Sequence, residues 1–253
     1  MIKQEEVIIP GPVVEEVPLG IKRTKELNLE RWTPKTEIGK KVKNGQITNI
    51  DEILNSGAKI FEAEIVDYLI QNLQIELLLV GQSKGKFGGG KRSIWRQTQK
   101  KTSEGNKPKF ATLALVGNKD GYIGIGFGKS KETMPAKEKA IRNAKLNIMK
   151  VKRGCGSWEC GCGKNHSIPF KIEGKSASVM LRLMPAPKGA GLTVEKECKK
   201  ILDFAGIKDV YSKTSKSRTK MGLIKACFYA LKNLSNVKVN TREIERLGIK
   251  WIR

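Results

Sequence analysis

Phe110-Ala-Thr-Leu-Ala-Leu-Val116, Asn118-Lys-Asp-Gly121 and Tyr122-Ile-Gly-Ile-Gly-Phe127 read in succession as a strand, a tight turn and a strand, hence a β-hairpin. Working outward, Ile75 to Val80 predicts an earlier strand. Before it, from Ile47 to Asn72, Asp51 can cap a helix, and Ile60, Phe61, Ile65, Tyr68 and Leu69 recur at the three- and four-residue spacings of an amphipathic helix. After the hairpin a helix is expected from Glu132 to Met149. Its Ala140, Ile141, Ala144 and Ile148 form an apolar stripe, and Lys139, Arg142 and Lys145 lie away from it.

This helix-strand-strand-strand-helix order over residues 60–150 is the layout of a double-stranded-RNA-binding-like module. Further on, Ile168 to Ile172 and Ser176 to Leu183 read as strands, and Pro185-Ala-Pro-Lys-Gly-Ala-Gly191 as a stiff turn. Helices near Val194–Ala205 and Lys220–Leu234 enclose a short strand at Asp209 to Tyr211. The fold class is therefore α+β, with a second small α+β domain after the first. The expected division is an N-terminal extension (1–46), the RNA-binding-like domain (47–150), a Cys/His linker (151–167), the C-terminal domain (168–236) and a tail (237–253).

The charge points to a polyanionic partner. With 49 Lys+Arg against 25 Asp+Glu the 253 residues carry a net charge of +24, and residues 81–153 alone hold 19 basic and 4 acidic side chains. No acidic residue stands between Gln82 and Ser103, and the run from Lys84 to Lys109 interleaves nine basic groups with Phe87 and Trp95. Cations that neutralise phosphate beside rings that stack on unpaired bases suit a segment ordered by RNA. No stretch approaches a membrane span, and the start of the chain lacks the pattern of a signal peptide, so a cytoplasmic protein is expected.

Three of five cysteines and the single histidine fall in twelve residues, Cys155-Gly-Ser-Trp-Glu-Cys160-Gly-Cys162-Gly-Lys-Asn-His166. Thiolate and imidazole are zinc ligands, and four protein ligands close a tetrahedral site, which makes it structural. The alternatives are a structural Zn2+ held by Cys155, Cys160, Cys162 and His166, or free thiols. A zinc deaminase needs His-x-Glu and a later cysteine pair; Ser167 and Ile168 follow His166, and no second pair exists. Cys198 and Cys227 lie alone in helical segments and are expected in the core.

A nucleotide hydrolase is excluded on similar grounds. Gly85-Lys-Phe-Gly-Gly-Gly-Lys91 has phosphate-loop spacing, but Arg92 stands where Ser or Thr must hold Mg2+. Gly128-Lys129-Ser130 has the hydroxyl but Ile123 in place of the first glycine. Gly121, Gly124, Gly126 and Gly128 are better read as a twisted hairpin packed closely on a helix or on RNA backbone.

The run Ala114 to Lys129, with Ala140-Ile-Arg-Asn-Ala-Lys-Leu-Asn147 and Met184-Pro-Ala-Pro-Lys-Gly-Ala-Gly191, resembles the universal small-subunit ribosomal protein five family. Trp32-Thr-Pro-Lys-Thr36, Gly39-Lys40, Val151-Lys-Arg-Gly-Cys155, Ala205-Gly-Ile207 and Lys225-Ala-Cys-Phe228 extend the resemblance over residues 30–235 and mark its archaeal/eukaryotic branch, and the cysteine cluster looks archaeal. The resemblance implies a structural constituent of the small ribosomal subunit, not an enzyme. It further implies binding to small-subunit rRNA where head meets body, beside the channel by which mRNA enters, with the fourth and eighth small-subunit proteins as neighbours and a role in translational accuracy. Lys100, Lys101, Lys107 and Lys109 then fall in the family's basic hairpin loop, with rRNA and incoming mRNA as partners.

The full set expected to bind rRNA is Lys84, Lys86, Lys91, Arg92, Arg96, Lys100, Lys101, Lys107, Lys109, Lys129, Lys131, Arg142, Lys145, Arg153 and Lys188. Lysine replaces the family's usual arginine at 107, 109 and 188, which keeps charge and gives up bidentate contact. The stretch Gly85 to Ser93 reads as an insertion whose RNA role rests on charge alone, and Thr193 to Cys198 departs from the family pattern. A free zinc-containing RNA-processing or RNA-binding protein is the competing reading.

Overall fold

A computed structural model describes residues 32–70, 72–82, 92–217 and 219–249. Lys84, Lys86, Phe87 and Lys91, with most of the Gly85 to Ser93 insertion and the arm before Trp32, lie outside the described residues. The protein is a two-domain α+β structure built on two antiparallel-dominated sheets.

The first sheet is organised by the long strand β3 (Gly105–Gly117), which pairs along its C-terminal half with β4 (Tyr122–Ser130), Leu115 opposite Ile125. Strand β1 (Gln74–Leu77) pairs with the end of β3 and β2 (Arg96–Thr102) with its beginning, while β5 (Ile148–Lys150) adds to the far side of β4. Successive residues of β3 point to opposite faces, and both faces are covered. Leu113 and Leu115 enter the core shared with the C-terminal domain, whereas Ala114 and Val116 pack under the helices. That double burial is why the strand reads as a continuous apolar run.

The helical layer holds α1 (Glu37–Lys43), α2 (Ile50–Ser56), α3 (Ala63–Leu69) and α4 (Thr133–Leu146). The helical signals within 47–72 are two short helices, because Gly57 takes the left-handed conformation (φ 72°) and ends α2; Asp51 lies in the first turn of α2, whose N-cap position is Asn49. The helix expected to reach Met149 stops at Leu146. Ile148, placed on its stripe by spacing, is instead a buried residue of β5. Strand β4 lies against α4 so closely that a Cβ at Gly126 would stand 2.1 Å from the Ala144 nitrogen, and one at Gly128 2.1 Å from the Ala136 oxygen. The glycines serve that contact.

Folding also begins earlier than residue 47. Trp32 and Val42 belong to the helical core, and the Trp32 indole donates to Glu62 Oε2 at 2.9 Å. Glu62 Oε1 accepts from the backbone N–H groups of Lys35 and Thr36 at 2.9 and 2.7 Å. Burial pushes this carboxyl up, but the hydrogen bonds from Thr36, Lys35 and Trp32 together outweigh it and hold it below the ordinary value.

The second sheet has the order β6 (Ile172–Ser176), β7 (Val179–Pro185), β9 (Val210–Ser215), β8 (Leu192–Thr193), with only the β8–β9 pair parallel. Strand β6 begins at Ile172, where the sequence pattern ended it. Helices α5 (Lys196–Phe204) and α6 (Lys220–Asn236) supply Cys198, Ile201, Leu202, Leu223, Ile224 and Cys227 to the shared core. Both isolated cysteines are buried, as expected. The tail carries a further short helix, α7 (Thr241–Arg246), whose exit returns to the Cys/His segment: the Cys155 N–H donates to Leu247 O at 2.8 Å.

Candidate metal centre and basic surface

Residues 154–167 are a closed loop with contacts on several sides, not a free linker. Gly154 and Ser167 bridge its base with paired backbone hydrogen bonds of 2.9 and 3.0 Å. The sulfurs of Cys155, Cys160 and Cys162 and a ring nitrogen of His166 all lie within 4.8 Å of one another. A tetrahedral zinc with ~2.3 Å sulfur and ~2.0 Å nitrogen bonds requires ligand separations of about 3.5 to 3.8 Å; Cys160 Sγ and His166 Nε2 are 3.8 Å apart. The donor set and its spacing fit such an ion.

The surroundings orient these ligands. His166 Nδ1 lies 2.7 Å from Asp209 Oδ2, so with Asp209 ionised the proton sits on Nδ1 and the Nε2 lone pair faces the sulfurs. Asp209 Oδ1 accepts from the Gly189 and Gly191 N–H groups at 3.1 and 2.8 Å. The Cys160 thiol is pulled down to about 6 by the backbone N–H of Lys188, then by that of Cys162. Cys155 is pushed up to about 11, first by burial and then by the Cys162 and Cys160 side chains. The Pro185 to Gly191 turn is thus tied to the centre at two points.

The basic surface starts on the β2–β3 ribbon. Register puts Lys100 opposite Lys107 and Thr98 opposite Lys109, so Arg96, Lys100, Lys107 and Lys109 share one face, with Lys101 on the other. All five are exposed. Lys129 opposes Ala111 and continues the same face. Lys109, Lys129 and Lys131 line an open cleft of about 560 Å³ with Ser130, Glu132 and Pro135.

Arg92, Arg142 and Lys188 are exposed as well. Arg153 is not: it is buried, bonded to Asp120 at 2.5 Å and to Gly206 O at 3.4 Å, and it fastens the β3–β4 turn to the C-terminal domain. Lys145 is largely buried and paired with Asp67 at 2.5 Å. These two expected RNA contacts are turned toward protein. Sequence reasoning missed Asp209, the partner of His166, for which no spacing signal exists.

A two-domain α+β scaffold with an exposed basic ribbon and a Cys3His group suits a structural protein with a nucleic-acid partner. Residues 94–152 match the family model for ribosomal protein S5, N-terminal domain, and residues 174–246 that for ribosomal protein S5, C-terminal domain. The chain is 53% identical over 214 residues to small ribosomal subunit protein uS5 of Nanoarchaeum equitans, covering 84% of this chain and 92% of the relative. Against the protein of that name from Methanobrevibacter smithii it is 45% identical over 225 residues, covering 88% and 99%, and against that from Methanocaldococcus jannaschii 45% over 223 residues, covering 88% and 96%. The chain belongs to the uS5 family of small-subunit ribosomal proteins, archaeal type, a structural and non-enzymatic family. Among the described residues no helix is long and apolar enough to cross a membrane.

Proposed function

We propose that this chain binds small-subunit rRNA through the exposed face formed by Arg96, Lys100, Lys107, Lys109, Lys129 and Lys131, near the junction of head and body and the channel by which mRNA enters. There it contacts mRNA and the fourth and eighth small-subunit proteins and supports decoding accuracy. The observation that carries this reading is the pairing of Lys100 with Lys107 across an exposed ribbon. Like charges directly opposite one another are unfavourable in the free protein, an effect that the Lys107–Glu104 pair at 2.5 Å offsets in part, and phosphates placed over the two lysines reverse the sign. Arg92, Arg142 and Lys188 extend the surface, Lys101 serves the opposite face of the ribbon, and Lys84, Lys86 and Lys91, outside the described residues, are assigned to rRNA on their charge alone.

The Cys3His group holds a structural zinc through Cys155, Cys160, Cys162 and His166. Zinc supplies a cross-link that draws three thiolates and an imidazole to one point. The chain's own residues then fix the geometry: Asp209 orients His166, Lys188 N–H stabilises the Cys160 thiolate, and Leu247 O anchors Cys155. Co-sedimentation with small subunits in gentle lysates tests the ribosomal placement. Stoichiometric recovery with the subunits is expected, and a mostly free protein overturns it in favour of a free zinc-containing RNA-binding protein.

A further inference from the structure

We infer that the Cys/His loop is itself an RNA contact, with Trp158 the stacking platform for one unpaired rRNA base. The inference rests on the rRNA-binding reading above and adds to it a site outside the basic ribbon. Trp158 is 92% exposed, more than any other large apolar side chain among the described residues. A tryptophan is ordinarily placed where its large apolar area is covered.

The ring is presented from a fixed base. Gly154 and Ser167 close the loop, Cys155 N–H is held by Leu247 O, and the Cys160 N–H turns back to Ser157 O at 3.3 Å. Gly156 lies so close to Pro169 that a Cβ would stand 1.9 Å from its carbonyl oxygen. A base landing on this ring therefore meets a surface already ordered, and little entropy is lost on binding.

Charge identifies the occupant. Three exposed lysines stand in or against the loop: Lys164 within it, Lys188 through its N–H to Cys160, and Lys208 through its N–H to His166 O at 2.8 Å. Glu159 is the one acidic side chain in the loop. Residues 154–167 contain no large apolar side chain other than Trp158, so the loop itself offers no apolar patch of the kind that surrounds a protein-binding anchor. An exposed aromatic ring on a loop that carries and adjoins lysines can stack a base while cations neutralise neighbouring phosphates.

The test uses the full chain with purified small-subunit rRNA as probe, comparing wild type, Trp158→Ala and Trp158→Phe, with zinc content measured in each to verify an intact loop. Trp158→Ala is expected to bind about 5- to 150-fold more weakly, the loss of one stack, with its salt dependence unchanged; Trp158→Phe stays near wild type. Ultraviolet cross-linking of assembled subunits is expected to leave a nucleotide on Trp158. Wild-type affinity for Trp158→Ala, or a cross-link from Trp158 to protein, overturns the inference while leaving rRNA binding by the ribbon standing. Absence of rRNA binding by the wild type would remove both.

Discussion

His166 Nδ1 and Asp209 Oδ2, 43 residues apart in the chain, meet at 2.7 Å with both side chains buried. The same carboxylate accepts two backbone N–H groups of the Pro185 to Gly191 turn through its other oxygen. Asp209→Asn keeps an oxygen for the turn but points its NH2 toward His166, so Nδ1–H loses its acceptor. It is expected to lower zinc affinity about 10- to 100-fold, measured by competition with a chromophoric chelator, with little change in unfolding midpoint in excess zinc. Asp209→Ala strands the turn amides as well and is expected to cost about 2 kcal/mol or more in urea unfolding.

Lys100 and Lys107 give effects of opposite sign. Lys100→Glu is expected to stabilise the free β2–β3 ribbon by about 0.2–1 kcal/mol, seen as slower amide exchange in β2, and to weaken rRNA binding. Neutralising Lys100, Lys101, Lys107 and Lys109 together is expected to flatten the log-log salt dependence by about 0.7–0.9 for each phosphate that is no longer neutralised. An unchanged slope would assign the ribbon to solvent.

What the sequence pattern captured and what it missed follow burial. Strands β3 and β4 were legible because Leu113, Ala114, Leu115, Val116, Ile123 and Ile125 are buried and select apolar residues. Strand β2, Arg-Gln-Thr-Gln-Lys-Lys-Thr, is almost wholly exposed, so no alternation distinguishes it from a loop, and only its pairing with β3 makes it a strand. Ile148 stands four residues after Ala144, a spacing that a helix stripe and a following buried strand satisfy equally. The Cys3His group was legible because its members are close in sequence. Asp209 was not, because only tertiary structure brings a carboxylate from the start of β9 to the loop.

Glu62 adds a pH dependence. Its carboxyl titrates below the ordinary value of 4.5 in the folded state, so the folded protein favours the charged form. The stabilisation is fully present above 4.5 and is lost as pH falls through the lower folded value. Glu62→Gln is therefore expected to be less stable than wild type near pH 7, by about 1–2 kcal/mol, and the gap should close as the pH drops below about 4.5. Thermal unfolding across pH 3 to 7 reads this directly, and a gap independent of pH would contradict it.

Removal of zinc is expected to loosen two segments that are distant in sequence. Residues 154–167 lose their cross-link, and residues 241–249 lose their seat, since Cys155 N–H holds Leu247 O and Gly248 packs so tightly that a Cβ would lie 1.8 Å from Gly163 O. Treatment with a strong zinc chelator, or Cys160→Ser, should therefore raise amide exchange in both segments together. Strand β3 should stay protected, because Leu113 and Leu115 pack on Ile201, Leu202 and their neighbours without help from the loop. The proposed binding to rRNA through the ribbon is expected to persist for the same reason. Metal-free protein with unaltered exchange in both segments would show that the Cys3His group holds no structural ion.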